Sequence, residues 1–125
     1  MKSRIGWGMT ALFGLFMLGA SVAPKFLGLQ TAVDSLAALG WEEDYLPFIG
    51  IIELVFTLLF FIPRTALLGA TLMTGLLGGA MSANIRAQSP LFSHTLFSIY
   101  LGVFMWVALW LRDQRVRRVF PFLTK

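Results

Sequence analysis

The chain contains no cysteine. It therefore performs no thiol exchange, builds no disulfide and holds no iron–sulfur cluster on thiolates, and any redox role must rely on something bound. Histidine occurs once, at His94. With neither thiolates nor further imidazoles, the ligand set of a structural metal site is missing, so the expected metal content is none. Ser21, Ser82 and Ser93 have no histidine–carboxylate relay in sequence, which argues against nucleophilic catalysis. Charge is scarce too: Asp, Glu, Lys and Arg make up 13% of the residues, about half the roughly 25% of a soluble domain. The few basic residues are not interleaved with aromatics in a polar module, so nucleic acid is not an expected partner. No repeat of solenoid period and no low-complexity segment occurs.

What is present is apolar. Hydrophobic residues form 58% of the chain, and four stretches of spanning length use up most of it, at about 5–23, 45–62, 66–83 and 90–111. The expected fold is all-α: a polytopic membrane protein forming an antiparallel four-transmembrane-helix bundle, one integral membrane domain over residues 1–125, with the lipid bilayer as its principal partner. The first stretch also has the basic start and the small Ser21-Val-Ala23 ending of a signal peptide. Its length and the three spans that follow favour a retained helix. Pro24 to Asp44 is the longest connection. In it Thr31-Ala-Val-Asp34 has the form of a capping box and Gly40 that of a stop, predicting a short amphipathic helix between spans one and two.

Asp44 is the expected N-cap of the second span, with Glu42 and Glu43 just outside it, and Trp41 and Tyr45 mark the water interface. Pro63-Arg64-Thr65 makes a tight turn, so spans two and three are neighbours of opposite direction. In span three, Thr71, Gly75, Gly79 and Ala83 recur every four residues beside a second row of Thr74, Gly78 and Ser82. Such rows let membrane helices approach closely, which predicts span three as the centre of the bundle. Ser89-Pro90 reads as N-cap and first position of span four. Trp7, Trp106 and Trp110 read as an aromatic belt. Eight of the ten basic residues (Lys2, Arg4, Arg64, Arg112, Arg115, Arg117, Arg118 and Lys125) fall on one side, and only Lys25 and Arg86 on the other. That bias predicts that both termini are cytoplasmic.

Glu53 interrupts the apolar run from Gly50 to Ile62. A carboxylate at membrane depth costs on the order of 3 kcal/mol on insertion scales, so it calls for a partner or a task. It lies seven residues beyond Leu46, about 10 Å inside the outer end of its helix. Every other span brings something polar to that half: Ser21 and Lys25, Asn84 and Arg86, and His94. Lys25 or Arg86 is the expected counter-ion, since both side chains can bend along a helix. Thr57, one turn below Glu53, is expected to bond its own backbone. Two readings stay open: an ion-pair network that fixes helix register, or an outward-side pocket for a small amphipathic molecule, with Glu53, Lys25, Asn84, Arg86, His94 and Thr57 as candidate ligand-binding residues.

The run Gly50-Ile-Ile-Glu53-Leu, followed by Ile62-Pro-Arg-Thr65, Leu68-Gly-Ala70, Thr74-Gly75, Gly78-Gly79-Ala80, Arg86 and Trp110-Leu-Arg112, resembles the DoxX-like family of small bacterial membrane proteins. The resemblance covers nearly the whole chain. It implies a four-helix membrane bundle with polar family positions at Lys25, Glu53 and Arg86. Name-giving relatives are associated with a thiosulfate:quinone oxidoreductase, but most of this branch has no assigned activity. One departure is Asn84, where relatives often carry histidine; asparagine does not titrate, which weighs against a proton relay there. The leading expectation is a non-catalytic or accessory membrane protein that binds a lipophilic ligand such as a quinone around Glu53. The alternatives are a quinone-reactive subunit of an oxidoreductase complex and a structural or assembly protein, alone or as a homo-oligomer.

Overall fold

The computed structural model describes residues 1–123 and the backbone, but not the side chain, of Glu43. Lys125, counted above among the basic residues, lies outside the described residues. Six helices follow in order: α1 (Lys2–Leu27), α2 (Gln30–Ala38), α3 (Leu46–Phe61), α4 (Ala66–Arg86), α5 (Leu91–Arg112) and α6 (Gln114–Val119). No strand occurs among the described residues. α1, α4 and α5 are long and apolar enough to cross a membrane. α3 is apolar but has 16 residues, about 24 Å of helix against a hydrocarbon core of about 30 Å.

α1 runs past the point where the sequence predicts its end. Pro24 has no N–H to give the preceding turn, and its ring crowds the carbonyl four residues back. The chain widens to a π-helical turn over Met17–Val22, closed by the Ala23 N–H to the Leu18 carbonyl, so Pro24 is carried inside a helix that continues to Leu27. Gly28 then ends it in the left-handed conformation (φ 64°), with Gly28 N–H bonded to Lys25 O and Leu29 N–H to Pro24 O. α2 ends in the same way at Gly40 (φ 88°), where Gly40 N–H meets Ala37 O and Trp41 N–H meets Leu36 O.

Three local expectations are corrected. Thr31 lies inside α2, where its carbonyl accepts from the Ser35 hydroxyl, so no capping box forms. Tyr45, not Asp44, occupies the N-cap of α3, because Glu43–Tyr45 turn as a 3₁₀ segment and Pro47 fills the first turn. Pro90, not Ser89, precedes α5, whose first turn Leu91–Thr95 is also π-helical.

The long helices meet in a closed cycle. Gly6 of α1 lies against Ala108 and Arg112 of α5 and Phe16 against Phe97, so residue numbers rise on one helix as they fall on the other. Phe13 packs edge-on against Phe60 of α3 at 5.5 Å, while Lys25 lies over Gly50. Leu77 of α4 faces Gly102 of α5. At the tight turn, Gly69 of α4 rests on the backbone of Leu59 and Phe60, where an added Cβ would come within 2.4 Å of the Phe60 nitrogen. The core between these contacts is Phe13, Met17, Phe60, Met73, Met105 and Leu109.

The small-residue rows of α4 do not make the close approach expected of them. A Cβ added at Gly75, Gly78 or Gly79 would meet nothing within 4 Å. The packed stripe is instead Ala66, Gly69, Ala70, Met73 and Leu77. The reason is the turn: with α3 ending only a few residues before α4 begins, the first small residue after it is pressed on the neighbour, and the stripe in phase with Gly69 becomes the buried one.

Candidate functional site

α1 and α3 bring three polar side chains to one point. The π turn and the helix beyond it place Ser21 and Lys25 four residues apart on one face of α1. Opposite them, Gly50 leaves room for the Lys25 stem, whose Cβ is 3.3 Å from where a Gly50 Cβ would stand. Glu53, one turn further along α3, is then met directly. Lys25 Nζ is 2.9 Å from Glu53 Oε1, and the Ser21 hydroxyl donates to Glu53 Oε2 at 2.6 Å. Lys25 Nζ also donates to Ser21 Oγ (2.9 Å) and to the Ser21 carbonyl (3.2 Å). Both carboxylate oxygens are therefore engaged by the neighbouring helix. Lys25 is the counter-ion, and the two charged side chains are only 11% and 9% exposed. Burial at this depth strengthens the attraction but leaves either charge costly alone.

The other candidates lie elsewhere. Thr57 is fully buried and donates to the Glu53 carbonyl at 2.7 Å, the backbone bond expected of it. Asn84 Nδ2 donates to the Ala80 carbonyl on its own helix. Arg86 is exposed and lines a recess of about 330 Å³ with Leu39, Gly40, Trp41, Ser82 and Ala83, between the end of α2 and the end of α4. His94 is exposed, its Nδ1 2.7 Å from the Ser93 hydroxyl. Lys25 and Glu53 are thus brought together, and Ser21 joins them; Thr57 bonds its own helix one turn along α3, while Asn84, Arg86 and His94 stand apart.

A second buried charge sits near the opposite ends of these helices. Arg112, read from the sequence only as a terminal anchor, is 8% exposed. Its Nη1 donates to Thr10 Oγ1 at 3.0 Å and its Nη2 to the Phe60 carbonyl. The guanidinium lies over the rings of Trp7 (4.2 Å) and Phe60 (4.5 Å). The Thr10 hydroxyl passes the chain on to the Gly6 carbonyl at 2.8 Å. Gly6 is what permits this: a Cβ there would stand 2.4 Å from the backbone nitrogen of Arg112.

Chemically, Arg112 finishes α3. The last carbonyls of a helix have no partner of their own, and Pro63 removes one donor that could have helped. Leu58 O receives the Ile62 N–H, Leu59 O the Thr65 hydroxyl, and Phe60 O the arginine of α5. A cation at the negative end of α3 also complements the helix dipole. The sequence signal that could have found it is the combination of Gly6, Thr10 and Trp7 on one helix with a lone arginine at the end of another.

Beyond α5 the chain is basic. Asp113 caps α6, accepting from Arg115 N–H at 2.9 Å and pairing through Oδ2 with Arg115 Nη2 at 3.0 Å. The Arg115 side chain, bonded to it, holds the Asp113 carboxyl below the ordinary aspartate value. Arg117 Nη1 closes the end of α5 by donating to the carbonyls of Trp110 and Leu111. Between α4, α5 and this tail lies an apolar groove of about 560 Å³, walled by residues including Leu77, Gly78, Val103 and Trp106, with Phe120, which stacks on Trp106 at 4.3 Å, as part of the wall. Neither this groove nor the Arg86 recess includes Glu53 in its walls.

Among known proteins, the family model described as the DoxX-like family matches residues 8–108. That span takes in Ser21, Lys25, Glu53, Thr57 and Arg86 and stops short of Arg112. No curated protein and no solved structure matches the chain significantly.

Proposed function

The chain belongs to the DoxX-like family, and from that premise we propose that it is a non-catalytic, four-span protein of the bacterial cytoplasmic membrane, with α3 as a short span and both termini cytoplasmic. Its role is structural or accessory, presenting its loops and basic tail to a partner. Glu53 serves as the bolt between the first two spans. The observation that supports this is the saturation of Glu53: an ion pair to Lys25 and a hydroxyl bond from Ser21 occupy both oxygens. A proton acceptor for an oxidoreductase step must be reached by its substrate, and Glu53 is 7% exposed, with each carboxylate oxygen already bonded to the neighbouring helix.

Two experiments test the reading. Because the chain has no cysteine, single substitutions report sidedness directly. Gln88→Cys is expected to react with an impermeant maleimide on intact cells, and Gln114→Cys only after the membrane is opened; the reverse pattern overturns the orientation. Purified Glu53→Gln is expected to lose thermal stability in detergent while any partner it scaffolds still co-purifies.

A second reading draws on the Arg86 recess. Its guanidinium, the Trp41 indole and the Ser82 hydroxyl stand at the outer end of the helices, a combination suited to the polar head of a lipophilic ligand such as a quinone. Native mass spectrometry of gently extracted protein would then show a quinone-sized adduct that Arg86→Leu loses. An oxidoreductase partner requires, in addition, that turnover of the complex fall in a Glu53→Gln protein that remains folded.

A further inference from the structure

The groove between α4 and α5 differs from both charged sites in having almost no polar group to offer. Its principal polar side chains are spent on each other: Trp106 Nε1 donates to Thr74 Oγ1 at 2.8 Å, and that hydroxyl donates to the Ala70 carbonyl at 2.7 Å. An occupant seated there finds hydrocarbon walls, so it must itself be hydrocarbon. Gly78 opens one wall, since no atom lies within 4 Å of its missing side chain, and Val103 stands exposed on the other.

The size and length of the groove are specific. Its volume of about 560 Å³ falls within the roughly 300–1,000 Å³ of ligand sites. Along α5 it extends from Ser98 to Trp110, twelve residue steps or about 18 Å of helix. Half of a hydrocarbon core of about 30 Å is about 15 Å, so the groove is one leaflet deep. It ends at the side where α1 begins and α6 lies. There Trp110, the last groove residue of α5, has the Lys2 ammonium 5.7 Å from its ring and the Arg117 guanidinium 5.5 Å from it. Arg115 and Arg118 follow on the same short helix.

We propose that this groove holds one acyl chain of an anionic phospholipid, whose phosphate rests among Lys2, Arg117 and the other arginines of α6. The apolar walls select a chain, the length selects a single leaflet, and the charge at the mouth selects an anionic head over a zwitterionic one. The inference rests on the membrane-spanning reading above. It is distinguishable from it, because a chain that fails to partition into membranes defeats that reading before any lipid is added.

The test uses the full chain, purified in detergent and titrated with phosphatidylglycerol or phosphatidylcholine of identical chains, with retained lipids counted by native mass spectrometry. Quenching of tryptophan fluorescence by chain-brominated phosphatidylglycerol reports occupancy beside Trp106. One phosphatidylglycerol per chain is expected, held about tenfold more tightly than phosphatidylcholine, since each basic residue near a lipid surface contributes attraction. Gly78→Leu is expected to weaken retention about tenfold by filling the groove, and Gly75→Leu, on the same helix but not in the groove wall, to leave it unchanged. Val103→Trp fills the groove from α5 and keeps the test valid should Gly78→Leu not fold. Lys2→Gln with Arg118→Gln should equalise the two lipids. Equal retention by the unaltered protein, full retention by both groove-filling variants, or a dimer that excludes phosphatidylglycerol by seating a second copy in the groove each overturns the proposal.

Discussion

The two buried charges solve the same problem in opposite ways. Glu53 is neutralised by a charge of opposite sign on the next helix, with a hydroxyl completing its shell. Arg112 has no acidic side chain bonded to it; a helix-end carbonyl, a threonine hydroxyl and two aromatic faces hold it instead. The difference follows from what each helix can offer. α1 and α3 meet at the Glu53 end along their sides, where backbone groups are already paired and only side chains can respond. At the Arg112 end α3 stops, and its open carbonyls act as a ready-made anion. A lone buried cation beside a helix C-terminus therefore does not imply a missing acidic partner.

Removing half of the Glu53 pair should have the largest effect. Lys25→Met strands a carboxylate with only Ser21 for support and is expected to cost about 3–5 kcal/mol, read as thermal or denaturant unfolding in detergent. Lys25→Met combined with Glu53→Met should recover most of that loss, since two apolar side chains need no partner. Strict additivity of the two single losses would mean that the pair is not coupled.

The Arg112 end should respond less but more selectively. Arg112→Met leaves the Phe60 carbonyl unpaired, a loss of about 1–3 kcal/mol. Arg112→Lys should rescue little, because an ammonium cannot reproduce the planar fork that bonds two acceptors while lying on two rings. Full rescue by lysine would reduce the site to a point charge.

How much of this was legible in sequence differs between the two ends. Glu53 announced itself because acidic residues are rare in apolar runs, and loop charge and helix length narrowed its counter-ion to Lys25 or Arg86, between which the structure decides for Lys25. Arg112 did not, because arginines at the end of a span ordinarily report topology. Only the missing side chain at Gly6 tells that α1 and α5 come close enough to bury it. Helix boundaries were legible to within a turn. The exceptions came from local geometry that composition does not encode, such as the π turn that carries Pro24. Small residues in α4 were visible, but which row packs depended on the α3–α4 turn, and the structure chose the stripe through Gly69.

That choice gives a contrast of intermediate size. Gly69→Ala should destabilise by about 1–3 kcal/mol, because its methyl group meets backbone that cannot swing aside. Gly79→Ala, with open space around it, should be neutral or gain about 0.5–1 kcal/mol from helix propensity. Similar losses at both positions would restore the close-approach role first expected of the row through Gly75 and Gly79.

The smallest effect belongs to the tail. Asp113→Ala should cost α6 about 1 kcal/mol of capping, measured as amide exchange over Gln114–Val119. Since the Asp113 carboxyl titrates below its ordinary value when folded, its contribution is complete above the ordinary value of about 3.9 and fades as the pH falls through the folded one. Protection of the α6 amides relative to their intrinsic exchange rates should fall only on that acidic side, while the Gly69 and Gly79 contrast stays insensitive to pH.

The bond from Arg112 to the Phe60 carbonyl has a consequence in time as well as in space. Its partners are separated by 52 residues, so α3 is finished by a side chain made long after α3 itself leaves the ribosome. Until then its closing carbonyl must find another donor. Three helices made one after another, α1, α3 and α5, thus finish together, when Arg112 arrives.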